Sequence, residues 1–163
     1  MNKQITTIAA ICLGVIIGHV QAAPQGMIQE TTQGAEDWYM NHYAPIWKEN
    51  SPGILDASSQ SYDTTIQIHP AEGPMKIVNS RQWLQDSLRE WTSQGWVGSE
   101  VTKYHFDQLN PSTAAFKARW RSWYSEADED FECSWYLVDA KDDSWVITRF
   151  AMIDCAEHGL ESE

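Results

Sequence analysis

The amino-acid sequence predicts an α+β fold in which helices come first and a meander of long antiparallel strands follows. Two observations carry this. Before Gly95 the apolar residues recur at spacings of three and four in two separate segments, the period of a helix that buries one face. From Val101 onward they alternate, the period of a strand with one buried face. A single alternating segment, Ser61 to His69, stands between the helical ones, so the order lacks the regular strand–helix alternation of a parallel α/β sheet.

In chain order, residues 1–22 differ in kind from the rest. Lys3 gives a basic start, Ile5 to Val20 are mostly apolar, and Val20-Gln21-Ala22 places small residues ahead of Ala23 and Pro24. This is the layout of a secretory signal peptide. A membrane-spanning helix needs about 20 apolar residues, and Gly14, Gly18 and His19 interrupt this shorter run. Cys12 lies within it without the small-residue context of a lipidated cysteine. The expectation is an exported protein, periplasmic or secreted and without a membrane anchor, in which residues 23–163 form one domain with an acidic C-terminal tail.

Met27, Ile28, Ala35, Trp38, Tyr39, His42, Tyr43, Ile46 and Trp47 then mark one face of an amphipathic helix, which Pro45 should kink or end for want of a backbone donor. Asn50-Ser51-Pro52-Gly53 is a break, and a short helix near Ile54 to Ser58 follows. Ser61 to His69 sets Tyr62, Thr64, Ile66 and Ile68 on one side and Asp63, Thr65, Gln67 and His69 on the other. Pro70 to Pro74 reads as a turn. Ser80 is placed to cap a second amphipathic helix carrying Trp83, Leu84, Leu88 and Trp91, and Gly95 ends it. Strands are predicted over Val101–Leu109, Ala114–Tyr124, Phe131–Asp139 and Trp145–Asp154, with turns at Asn110-Pro111-Ser112 and Lys141-Asp142-Asp143. In the second of these, Phe116, Ala118, Trp120, Ser122 and Tyr124 share one face, while Lys117, Arg119, Arg121 and Trp123 share the other.

Composition narrows the function. Nine Trp, six Tyr and four Phe among 163 residues require a folded core. The excess of 23 acids over 11 Lys and Arg argues against nucleic acid and anionic membrane surfaces as partners. The acids crowd toward the C-terminus, yet neither Glu126-Ala127-Asp128-Glu129-Asp130 nor Asp139-Ala140-Lys141-Asp142-Asp143 has the spaced ligands and glycine turn of a calcium loop. His42, His105 and His158 show no metal-ligand spacing, and neither a glycine-rich phosphate loop nor a Gly-x-Ser-x-Gly elbow occurs, so no metal and no cofactor are expected.

Export would place Cys133 and Cys155 in an oxidising compartment, where one disulfide is permitted. A hairpin centred on Lys141-Asp142-Asp143 sets Cys133 opposite a residue near Ala151, four positions short of Cys155. At about 3.3 Å per residue the offset is roughly 13 Å, beyond the roughly 7 Å Cα limit for a bridge. Only a bulge or a returning tail would close it, and the sequence leaves the pairing open.

The order of helix, short helix, strand, helix and antiparallel meander resembles the nuclear transport factor 2-like superfamily, which includes the SnoaL-like cyclases and the ketosteroid isomerases. Tyr62-Asp63, followed by Ile66-Gln67-Ile68-His69-Pro70-Ala71-Glu72-Gly73, looks like the superfamily's first-strand segment, and Ser144-Trp145-Val146-Ile147-Thr148-Arg149-Phe150 looks like its last turn and strand. The resemblance implies a cone-shaped roll: N-terminal helices packed on a strongly curved, mostly antiparallel sheet, with a pocket at the open end and commonly a homodimer.

It also supplies candidates. His69 stands where the isomerases carry a proton-moving carboxylate, and an imidazole with an ordinary pKa of about 6.5 can act as a base. The partner acid resembles a first-helix tyrosine, for which Tyr39 and Tyr43 are both candidates. Asp63 is about 20 Å from His69 along the strand and cannot readily pair with it. The isomerases take a further donor from a late strand, where this chain reads Asp130-Phe131-Glu132 and no residue carries over. Trp38, Tyr62, Trp120 and Trp135 are candidates for the pocket wall. The expected function is binding of a small, largely apolar molecule in an aromatic-lined pocket. Two alternatives stand beside it: a cofactor-free isomerase, lyase or cyclase using His69 as base, and a protein-interaction or dimerisation module working through the outer sheet face.

Overall fold

A computed structural model describes residues 34–126 and 128–161. The expected signal peptide and the helical positions Met27 and Ile28 lie outside them.

Helix α1 covers residues 34–46. Residues 34–38 are α-helical, Tyr39–Tyr43 form a π-helical turn, and Ala44–Ile46 complete the element. In the wide turn the Ala44 N–H donates to the Tyr39 carbonyl. Pro45, which has no N–H to continue the ladder, accounts for the irregularity at this point. Helix α2 is Ile54–Ser59, introduced by Gly53 at φ 94°, and α3 is Ser80–Ser93. Asn79, not Ser80, caps α3: its side chain accepts from the Gln82 N–H. Ser80 lies inside the first turn, buried, where its hydroxyl donates to the Thr64 carbonyl.

Six strands form one open sheet in the order β2-β1-β6-β5-β4-β3. They are β1 Tyr62–His69, β2 Lys76–Asn79, β3 Trp96–Asn110, β4 Thr113–Tyr124, β5 Glu129–Lys141 and β6 Ser144–Ile153. All neighbours are antiparallel except β1 and β6, which run parallel through Gln67↔Arg149, Ile68↔Phe150 and His69↔Ala151. The architecture is the predicted α+β. The sequence reading missed β2, a short edge strand that is almost wholly exposed and so has no alternation to reveal it. It also began β3 five residues late.

The core lies between the helices and one face of the sheet. Phe116, Ala118, Trp120 and Ser122 of β4 point into it, as the alternation predicted. Helix α1 is tied down at its end: Ser99 N–H donates to the Trp47 carbonyl and Asn50 N–H to that of Val97, both at 2.7 Å. Gly98 permits this approach, because a Cβ there would come within 2.2 Å of the Lys48 carbonyl oxygen.

Cys133 and Cys155 form a disulfide, with Cα atoms 5.3 Å apart. The offset estimated from the hairpin is overturned by two local features. The turn is only Asp142-Asp143, with Asp142 at φ 53°, and Thr148 is an extra residue in β6 opposite the step from Leu137 to Val138. Each moves the register by one, so Cys133 pairs with Ile153 rather than Ala151. Beyond Ile153 the Asp154 carboxylate accepts from the Ala156 and Glu157 N–H groups, turning the chain back, and Leu160 is fully buried.

Among the described residues no helix is long and apolar enough to cross a membrane.

Candidate functional site

A cavity of about 210 Å³ opens between the helices and the inner face of the sheet. Tyr43 and Trp47 reach it from α1 and the residue after it, Trp83, Leu84 and Trp91 from α3, and Tyr62 from β1. The sheet adds Ser99 from β3, Trp120 from β4, Glu132, Ser134 and Tyr136 from β5, and Phe150 and Met152 from β6. The even-numbered residues of β5 point inward and its odd-numbered residues outward, as a pleated strand requires.

Tyr43 organises the wall. It is 1% exposed and meets Trp47, Tyr62, Trp120 and Tyr136 edge-on at centroid distances of 6.0, 5.9, 6.3 and 5.6 Å. T-shaped pairs set a ring's positive edge against its neighbour's negative face, so the cluster fixes ring orientation as well as volume. The Tyr43 and Tyr62 hydroxyls share a hydrogen bond of 2.6 Å. Burial holds both phenols well above their ordinary pKa, with Tyr136 the next contributor, and burial pushes Tyr136 itself up to about 12. All three are neutral at physiological pH and serve as hydrogen-bonding groups.

Glu132 is the one carboxyl among the described lining residues. It sits opposite Trp120 across the β4–β5 ladder. Its pKa is raised, first by burial and then by the neighbouring charge of Asp130. Among the described residues it has no ion-pair partner: Arg121 turns outward to Glu100 and Glu129, Lys141 pairs with Asp63, and Arg119 lies over the Phe131 ring at 4.1 Å.

The residues singled out from sequence divide. Tyr43, Tyr62 and Trp120 come together in the cavity wall. Tyr39 does not reach the cavity; it is fully buried one turn earlier, stacked on Phe116 at 4.2 Å, and among the described residues its hydroxyl has no partner. Trp38 stacks on Tyr43 at 5.9 Å but faces a surface groove with His42 and Trp145. Trp135 is an odd-numbered residue of β5, on the outer face. His69 is exposed at the end of β1 and lines no part of the cavity, because the seven-residue step from Tyr62 puts it on the opposite face. The structure therefore does not bring that imidazole into the cavity with Tyr43, where the expected role of base would have placed it. Asp63 pairs with Lys141 at 2.7 Å, and that contact holds its carboxyl below the usual range.

Glu132 escaped the sequence reading although a signal was present. If Ser134, Tyr136 and Val138 face inward, parity carries Glu132 with them, an acid two residues before a buried serine on the inward face.

No protein-family model matches the chain, and no curated protein matches its sequence. Solved structures do. A protein of Novosphingobium aromaticivorans named as an aromatic ring hydroxylase aligns with 76% of this chain and 88% of its own, at 11% identity and a TM-score of 0.54. One from the same organism named as a scytalone dehydratase aligns with 77% of this chain and 83% of its own, at 10% identity and a TM-score of 0.51. A nuclear transport factor 2-like protein of unknown function from Shewanella oneidensis aligns with 81% of this chain and all of its own, at 20% identity and a TM-score of 0.47. The chain shares its fold with the first two of these structures, helices packed on one face of an open, mostly antiparallel sheet, which is the architecture that the nuclear transport factor 2-like resemblance implies.

Proposed function

We propose that this protein binds a small, largely apolar molecule in the aromatic cavity, and that it does so outside the cytoplasm after loss of residues 1–22. The observation that carries the binding reading is the wall itself: a concave, mostly aromatic surface with a few convergent polar groups is the usual form of a small-molecule site. A cavity of about 150 Å³ accommodates benzene, so 210 Å³ suits a single substituted ring. The structural neighbours named as a hydroxylase and a dehydratase favour a small-molecule occupant over a macromolecular one. Proton transfer by His69 is not part of this reading, since the imidazole lies outside the cavity.

Export is supported by the layout of residues 1–22 and by the Cys133–Cys155 bridge, which belongs to an oxidising compartment. Mass spectrometry of the protein purified natively from its own host tests both parts. The expected spectrum shows an N-terminus at Ala23, the mass deficit of one disulfide, and a small molecule that leaves on denaturation. A chain retaining residues 1–22 would overturn export. A protein that carries nothing and takes up no apolar probe would overturn the binding reading.

A further inference from the structure

We infer that the cavity is built for an organic cation: its ligand carries an alkylated or protonated ammonium group that sits beside Glu132 and against the ring faces around it. The inference rests on the reading that the cavity is the binding site, and it names the class of ligand.

Three observations converge. First, Glu132 is a carboxylate in a largely apolar wall for which the described residues supply no cation. Burying an unpaired charge is costly, and the basic side chains of β4 that might have neutralised it are committed to the outer face, Arg121 to Glu100 and Glu129, Arg119 to Phe131. Second, Asp130 lies two residues along the same face of β5, about 7 Å away, and its charge is felt at Glu132. Like charges at that spacing are relieved by a positive group between or beside them. Third, the remaining wall is π surface. Tyr43, Trp47, Tyr62, Trp83, Trp91 and Trp120 all line it. Aromatic faces attract a cation electrostatically, and more strongly where it is desolvated.

These features select the kind of cation. A hard inorganic ion needs several oxygen ligands, whereas this wall presents a single carboxylate and mostly rings. An ammonium bearing carbon substituents matches both, since its alkyl groups bury apolar surface while its charge meets Glu132 and the rings. The chain's net charge of −12 adds a field that draws cations toward it.

The test compares phenyltrimethylammonium with its neutral isostere tert-butylbenzene by calorimetric titration of the disulfide-intact protein at neutral pH. The two differ in charge and hardly in shape. The cation should bind at least about tenfold more tightly, and Glu132→Gln should remove most of that preference. Equal or tighter binding of tert-butylbenzene would overturn the cation inference and leave the cavity as a neutral apolar site. A preference that survives Glu132→Gln would likewise overturn the role of this carboxylate. If neither probe binds, both the inference and the binding reading on which it rests fail.

Discussion

Replacing both Cys133 and Cys155 by alanine should lower the stability of the protein by about 3 kcal/mol, the chain-entropy value for a crosslink spanning 22 residues. For a domain of this size that lowers the melting temperature by roughly 6–12 °C. The bridge fastens the end of β6 to the middle of β5 and holds the turn that returns Leu160 to a fully buried position, where its N–H donates to the Cys155 carbonyl at 2.9 Å. Alanine is the right replacement because Cys133 is 1% exposed and a hydroxyl there would be buried without a partner. Denaturant unfolding of the oxidised protein and the double variant measures the difference. A loss well under 1 kcal/mol would mean that the bridge constrains the unfolded chain far less than its span implies.

Glu132→Gln should stabilise the protein at neutral pH and leave it unchanged near pH 4. The sign follows from the raised pKa of Glu132 in the fold, caused first by burial and then by Asp130. Below the ordinary glutamate value of about 4.3 the group is neutral in both folded and unfolded chains and costs nothing. As pH rises through that value the unfolded chain ionises while the folded one still holds its proton, so stability falls until the folded value is passed and the loss is complete. Glutamine is nearly isosteric and never ionises. Its advantage should therefore open across this window and reach roughly 1–2 kcal/mol, the scale on which an unsatisfied buried polar group costs. Thermal melts of the two proteins at a series of pH values give the difference directly, because other titrating groups cancel. A glutamine variant less stable than the parent at neutral pH would mean that the carboxylate has a compensating partner in the fold, contrary to its isolation in the wall.

These two expectations turn on residues that the sequence exposed to different degrees. The inward series of β4 was legible because strict alternation runs from Phe116 to Tyr124, and Trp120 was placed on the cavity side by that parity alone. The same rule, applied to β1, already sets His69 on the face opposite Tyr62, yet its chemistry still made His69 a site candidate. Applied to β5, it would have exchanged Trp135 for Tyr136. In both cases chemical attractiveness, an imidazole near neutrality and a large indole, outweighed geometry that was already available. The disulfide was not legible, since it depends on the tightness of the turn at Asp142-Asp143 and on one extra residue at Thr148, each worth a single step of register. Tyr39 and Tyr43 could not be told apart from sequence either. They share a helix face, and only the π-helical turn and the seating of Phe116 against Tyr39 decide that Tyr43 reaches the cavity. Strand β2 left no trace because its residues are almost all exposed.

The nine tryptophans allow occupancy of the cavity to be read residue by residue. Each indole N–H gives its own signal in a nitrogen–proton correlation spectrum, and a titration with tert-butylbenzene reports where a small apolar molecule lodges. If the aromatic cavity is the binding site, the signals of Trp47, Trp83, Trp91 and Trp120 move together and saturate, while those of Trp123, Trp135 and Trp145 stay in place. Shifts confined to Trp123 and Trp135 would put the working surface on the outside of the sheet, and a spectrum that does not change at all would contradict the account.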